Sequence, residues 1–200
     1  MNWHEIIFIL LHESYYFAGL EASSCQECVK HLKSAAYITQ RHQFQEGTNA
    51  LVVNEKEKFN FSKFYDKDSV IVDISEVEAI NAQVHTDNIM QAVAPIALTR
   101  GKIEEIVKKY DPKNKSGLGL VFIVESFDKT VAIADMEREA LGTIDLVFFD
   151  IASGNVLMAK RMQGIATGFG LRNYWSRPVY EVMKQSKKNW NRWKKEAGLK

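Results

Sequence analysis

The residues best suited to chemistry lie near the N-terminus, where Cys25 and Cys28 form a C-x-x-C pattern and His31 follows. Two thiols at this spacing can bind a metal ion or exchange a disulfide at a helix start, where the positive end of the helix dipole lowers the thiol pKa. A zinc site needs two further ligands, which His31 and His42 could supply, but strong zinc signatures carry a second paired cluster. A thioredoxin-like motif follows a strand, and residues 21–23 do not resemble one. The preferred interpretation is two ordinary helical cysteines, with metal binding and redox chemistry as alternatives.

A second candidate is the series Gly164, Gly168 and Gly170, which has Lys160 and Arg161 just before it. Glycines near basic residues can form a phosphate-binding loop, but a dinucleotide fingerprint needs the order G-x-G-x-x-G and a Walker loop needs G-K-[ST]. Neither order is present. The glycines are interpreted as positions where the chain leaves a strand and turns, and no cofactor is expected.

Carboxylates are numerous but scattered. Asp145 and Asp150 lie on predicted strands, while Glu125 and Asp128 lie at a strand end. General acid and base catalysis needs two carboxylates in one pocket with separated pKa values, and the sequence does not pair them. The histidines have no partners at the spacing of a hydrolase triad. No catalytic residue is therefore assigned, and the chain is predicted not to be an enzyme.

The C-terminal region combines aromatic and basic residues. The candidate surface or ligand contacts are Arg172, Tyr174, Trp175, Trp190 and Trp193. Trp190 and Trp193 share a helical face with Val179, Val182 and Met183, which favours packing on a sheet. The alternatives are an interfacial membrane helix and a nucleic-acid contact, because many lysines accompany the two tryptophans.

Composition places the chain among globular proteins. It has 200 residues, of which 46% are hydrophobic and 26% are charged, and a formal net charge of +1. That net charge predicts no global attraction to nucleic acid or to an anionic membrane. Nucleic acid is therefore not expected as a partner, and a membrane surface stays a candidate only through the basic C-terminal helix. The apolar run from Ile6 to Leu11 is too short for a membrane span and has the wrong flanks for a signal peptide. If the start is correct, the expected location is cytoplasmic.

Periodicity predicts the elements. The predicted strands are Val70–Ile74, Leu118–Glu125, Thr130–Met136, Thr143–Ile151 and Asn155–Met162, with a hairpin turn at residues 153–155. Thr99 is expected to cap a helix, and Ser176 to cap the final helix with Pro178 in its first turn. The predicted fold is α+β: a mainly antiparallel sheet covered by helices on one face. Residues 1–48 are assigned to a helical N-terminal extension and residues 49–200 to the α+β domain.

Three segments carry a resemblance to known proteins. Residues 117–128, 149–157 and 168–175 are similar to an uncharacterised family of small bacterial α+β proteins, over about residues 59–185. The segment 150–157 also resembles a hairpin of the curli-secretion lipoprotein family. The first family is typically exported, so the resemblance implies a periplasmic protein that acts at the cell envelope.

The resulting functional expectation is a non-catalytic module that binds or assembles with a protein or another envelope component. The first alternative is a peripheral membrane or nucleic-acid binder that uses the basic, Trp-containing C-terminal helix. The second alternative is a small thiol or metal protein that uses Cys25 and Cys28.

Overall fold

The computed structural model describes residues 5–11, 17–18, 47–81, 97–111, 115–131, 139–169 and 171–198. The strands are β1 Glu5–Leu11, β2 Phe17–Ala18, β3 Val70–Val72, β4 Leu118–Val131, β5 Glu139–Asp150 and β6 Val156–Ala166. The helices with defined bounds are α1 Phe61–Tyr65, α2 Ser75–Asn81, α3 Arg100–Val107 and α4 Leu171–Glu196. Residues 47–54 are also helical.

The strands form one sheet in the order β3-β1-β4-β5-β6, and β2 pairs with β4. Strands β4, β5 and β6 are antiparallel neighbours, whereas β1 runs parallel to both β3 and β4. The α+β class, the antiparallel sheet and its packing against helices are therefore confirmed. Thr130 and Val131, predicted to begin a separate strand, continue β4.

Helices cover both faces of the sheet, which corrects the prediction of a single covered face. One face packs on α4 through residues such as Phe122, Phe148 and Met183, and is called the α4 face below. The other packs on α2 and α3 through residues such as Val77 and Ile106, and is called the α3 face. The physical reason lies in β4 and β5, whose apolar runs at residues 120–124 and 146–149 put buried side chains on both sides of the sheet.

Strands β1 and β2 correct the helical assignment of residues 5–11 and 17–18. Each of these segments pairs with β4, and β1 lies between β3 and β4 in the sheet. The run of β-branched and large apolar residues in β1 suits a strand with neighbours on both edges. The sheet thus includes residues from the segment that the sequence assigned to an N-terminal extension.

The hairpin between β5 and β6 turns where it was predicted to turn. Gly154 has a φ of 67°, in the left-handed region that glycine adopts without steric strain. The Asp150 Oδ1 atom accepts hydrogen bonds from the Ser153 N–H at 2.8 Å and from the Ser153 hydroxyl at 2.6 Å. The side chain of Asp150 therefore orients the turn.

The start of α4 corrects the predicted cap. The helix begins at Leu171, so Ser176 and Pro178 lie inside it. The Ser176 hydroxyl donates to the Asn173 carbonyl at 3.1 Å instead of capping the helix. Pro178 packs against Gly142 and Gly164, which face each other on β5 and β6. This close contact with the sheet provides the tertiary packing that holds the helix through an unfavourable proline.

Candidate functional site

The three tryptophans proposed as contact residues belong to the core of the α4 face. Trp175, Trp190 and Trp193 are 2%, 1% and 6% exposed. The Trp175 ring lies 4.6 Å from that of Phe127, and the Trp190 ring lies 4.9 Å from that of Phe148. The packing interpretation is therefore confirmed, and these indole rings are not available to stack on a ligand.

Tyr174 and Arg172 are the other two residues that were predicted as surface or ligand contacts. Tyr174 is half-buried, with its ring 5.0 Å from that of Trp175. Arg172 lies in the first turn of α4, and its side chain is not among those described. Cys25, Cys28 and His31 lie outside the described residues, so the thiol and metal hypotheses stay predictions.

The outward side of α4 carries concentrated positive charge. The helix has 26 residues, and its sequence contains eight basic and two acidic side chains, a formal charge of +6. The entire chain carries only +1. The net positive charge of the protein therefore comes from this one helix, because the rest of the chain has a net charge of −5.

Five basic residues in the C-terminal half of α4 form one surface, called the basic face below: Lys187, Lys188, Arg192, Lys194 and Lys195. At about 100° per residue they cover an arc of roughly 160°. Lys187, Lys188, Arg192 and Lys195 are exposed, and Lys194 is half-buried beside Trp190. The helix therefore buries one side and presents positive charge on the other.

Ion pairing separates the two halves of α4. In the first half, Glu181 pairs with Arg177 at 2.6 Å and with Lys184 at 2.9 Å. In the second half, Glu196 lies 3.7 Å from Arg192 and 3.6 Å from Lys160. Among the described residues, the four lysines of the basic face have no acidic partner within salt-bridge distance. Their charge is therefore not neutralised by a neighbouring carboxylate.

A buried polar cluster lies on the α3 face of the sheet. Asp145 on β5 is opposite Arg161 on β6 and Ile123 on β4. Glu125 follows Ile123 by two residues, at a β-bulge between Val124 and Ser126. Glu125 and Asp145 are 2% and 3% exposed. The sheet thus brings two carboxyl groups and one guanidinium together in a mostly apolar layer.

Glu125 connects three parts of the structure. Its Oε1 atom accepts a hydrogen bond from the Leu98 N–H at 2.7 Å, just before α3. Its Oε2 atom lies 2.6 Å from the Arg161 Nε atom. Its carboxyl group is also within hydrogen-bonding reach of Asp145. Burial, followed by the charge and hydrogen bond of Glu125, raises the pKa of Asp145 to about 7, and Arg161 acts in the opposite direction.

Sequence reasoning did not pair Glu125 with Asp145, because they are 20 positions apart and on different strands. The sequence did contain one indication that each carboxylate has a partner. Each carboxylate interrupts a strand that is otherwise buried on both faces, and charged residues are almost never fully buried unless they are paired. That rule predicts a partner for each residue, but the partner's identity depends on strand register.

A cavity of about 150 Å³ lies between the C-terminal end of α3 and the β5–β6 hairpin. Its lining includes Val107, Tyr110, Phe149 and Ile151. The Tyr110 and Phe149 rings are stacked, with centroids 6.1 Å apart. Its lining also includes the charged residues Lys108 and Asp111 but not the carboxyl pair, so the structure does not connect the two features.

The described part of the chain contains neither a metal-binding cluster nor a membrane-spanning helix. No group of three or more His, Cys, Asp or Glu side chains there is arranged to hold a metal ion. No helix within the same residues combines the length and apolar character needed to cross a membrane.

Comparisons with known proteins add little. No family model matches the chain, and no curated protein matches it. Among solved structures, a hypothetical protein from Chlamydia trachomatis is 8% identical, with 98% of this chain and 97% of that chain covered and a TM-score of 0.36. A protein named as a neuraminyllactose-binding hemagglutinin homolog from Helicobacter pylori is 12% identical, with 98% and 90% covered and a TM-score of 0.32. Neither is named as an enzyme, and at these TM-scores the similarities carry no argument about function.

Proposed function

We propose that this chain is a non-catalytic binding module of the bacterial cell envelope, and that the basic face of α4 binds anionic phospholipid headgroups. The observation that carries the proposal is the set of lysines on the outward side of α4 that have no acidic partner among the described residues. The resemblance of residues 59–185 to exported envelope proteins supports the location.

The role of the basic face is separate from the packing of the helix. Trp190 and Trp193, on the opposite side of α4, lie in the core and stabilise the fold. Lys187 also lies over the Phe64 ring, with its Nζ atom 5.5 Å from the ring centroid, but surface charges such as those of the exposed lysines contribute little to stability. Their unpaired charge therefore favours an external partner over a structural role.

A lipid surface fits the basic face better than nucleic acid does. Proteins that bind single strands stack bases on aromatic rings. Between Gln185 and Glu196 the aromatic residues are Trp190 and Trp193, and both are buried. Adsorption to anionic headgroups needs only positive charge near the surface, at about 1 kcal/mol for each lysine or arginine. The absence of an inserted ring makes the predicted binding reversible and dependent on salt concentration.

The test is co-sedimentation with vesicles that contain phosphatidylglycerol, compared with vesicles of phosphatidylcholine alone. The wild-type protein should bind only the anionic vesicles and should dissociate as salt is raised. Reversing the charge of Lys187, Lys188 and Lys195 to glutamate should weaken binding by about a hundredfold or more, because three attractive contacts are replaced by repulsive ones.

The matched control reverses three exposed lysines away from α4: Lys56, Lys102 and Lys109. It changes the net charge equally, so a specific basic face predicts that the control retains binding. Equal loss in both variants, or unchanged binding in the α4 variant, would contradict the proposal. Retention on RNA but not on vesicles would replace the lipid with a nucleic-acid partner.

A further inference from the structure

The buried cluster of Glu125, Asp145 and Arg161 has more negative than positive charge if every group is ionised. Glu125 and Asp145 are almost fully buried, and a buried charge without a partner is strongly unfavourable. Arg161 pairs with Glu125 through its Nε atom and is 48% exposed. One arginine can neutralise one carboxylate, so the charge of the second carboxyl group must be removed or stabilised in another way.

The hydrogen bonds of Asp145 indicate how the second carboxyl group is accommodated. The Asp145 Oδ2 atom is buried, and no N–H or O–H group among the described residues donates to it. The Glu125 carboxyl group is within hydrogen-bonding reach. Two carboxyl groups can bond to each other only if one carries a proton. A shared proton therefore satisfies both the geometry and the charge of the cluster.

We propose that Glu125 and Asp145 share one proton, and that losing it weakens the hydrogen bond by which Glu125 holds the start of α3 on the sheet. When Asp145 is protonated, Glu125 can accept from Asp145, from Arg161 and from the Leu98 N–H together. When Asp145 ionises, the two carboxylates repel each other and compete for Arg161. The half-exposed Arg161 can move toward either one, so the contact between Glu125 and Leu98 is the one expected to loosen.

Other charged groups near this face do not replace the proton. On α3, Arg100 pairs with Glu104 at 2.8 Å and also donates to the Val156 carbonyl. The polar neighbours Thr143 and Gln163 are hydrogen-bonded to each other at 3.4 Å. The histidines, which also titrate near neutral pH, lie outside the described residues: His4, His12, His31, His42 and His85. The experiment must therefore separate Asp145 from the histidines.

The sign of the pH effect follows from linkage. In the unfolded chain Asp145 loses its proton near the usual pKa of about 3.9, whereas in the folded protein it holds the proton until pH rises to about 7. Between these values the folded state binds more protons than the unfolded state. Stability contributed by this proton is therefore complete below pH ~4 and is lost as pH rises toward ~7.

The experiment compares wild type with Asp145→Asn in urea unfolding from acidic to mildly basic pH. The wild-type unfolding constant should contain a component that rises by up to about tenfold per pH unit until the pKa of Asp145 is passed. Asp145→Asn should lack that component while keeping any contribution from histidines. The matched control is Asp150→Asn on the same strand, which should retain the wild-type pH profile.

Hydrogen exchange tests whether loss of the proton loosens the start of α3. After correction for intrinsic rates, amides from Leu98 to Val107 should exchange faster in wild type above neutral pH than below it, and Asp145→Asn should show no such change. Identical pH profiles for wild type and Asp145→Asn in both measurements would overturn the proposal. If the stability of wild type depends on pH as expected but the Leu98 amide does not exchange faster above neutral pH, the shared proton is supported and its coupling to α3 is overturned. These readouts do not involve vesicles, so their outcome is independent of the proposed lipid binding.

Discussion

Replacing Gly164 by alanine tests the contact that positions α4 on the sheet. A Cβ atom at Gly164 would clash with the Pro178 carbonyl oxygen and would lie 2.7 Å from the Pro178 Cα atom. Both atoms belong to the helix backbone, so rotating a side chain does not relieve the clash. The helix or strand β6 must move instead, and the neighbouring Trp175 and Val179 are buried and resist that movement.

The expected magnitude can be worked from two opposing effects. Overpacking a well-packed core destabilises a protein by about 1 to 3 kcal/mol, and the backbone contact places Gly164→Ala near the upper limit. Replacing glycine by alanine also lowers the entropy of the unfolded chain, which stabilises by about 0.4 to 1 kcal/mol. The net expected loss is about 2 kcal/mol. In urea this corresponds to a decrease in midpoint of roughly 1 M, for a slope of about 2 kcal/mol per M.

Gly101→Ala is the matched control, because no other described residue comes within 4 Å of the Cβ position at Gly101, apart from its chain neighbours and the backbone of its own helix. Gly101 is exposed in α3, where alanine should stabilise the helix by about 0.5 to 1 kcal/mol. The two variants therefore make the same chemical change and should shift the urea midpoint in opposite directions. A Gly164→Ala variant as stable as wild type would refute the close packing of α4 on β5 and β6.

Two further predictions concern the hairpin and the C-terminal helix. Gly154→Val should lower stability by about 1 kcal/mol or more, because valine at a φ of 67° is strained; an unchanged melting temperature would contradict the turn. Truncation after Gln185 should reduce stability by several kcal/mol, because it removes two buried indoles that each contribute roughly 2 to 3 kcal/mol. The full-length protein should correspondingly show blue-shifted tryptophan emission without vesicles, and water-exposed emission would count against the burial of Trp190 and Trp193.

The features that the sequence predicted well depend on neighbouring residues. Residues 153–155 contain a turn signal between two apolar runs, and the chain turns there. Thr99 precedes the apolar residues Ile103, Ile106 and Val107, and its hydroxyl accepts a hydrogen bond from the Lys102 N–H at 3.3 Å. In each case the information lies within about one turn of the chain, where turn and capping preferences act directly.

The start of α4 shows how a distant contact can override such a local signal. Ser176 followed by Pro178 is typical of a helix N-terminus, yet the helix begins five residues earlier than Ser176, at Leu171. Gly142 and Gly164 are paired across β5 and β6 and leave room for Pro178. Neither glycine is near Pro178 in sequence. The length of the helix therefore depends on a pairing register that capping preferences do not contain.

The dependence on strand register also explains why the sequence located the basic face of α4 but not the carboxyl cluster. The positive charge of α4 lies on consecutive turns of one helix, so composition and periodicity were sufficient to locate it. The cluster of Glu125, Asp145 and Arg161 instead requires three strands in register and a bulge that sets the position of Glu125. Shifting any of these strands by one residue would turn its side chain to the opposite face and separate the charges. The shared proton is therefore a property of the assembled sheet. The pH-dependent part of the stability that it contributes should be absent from the Asp145→Asn variant, which lacks the second carboxylate.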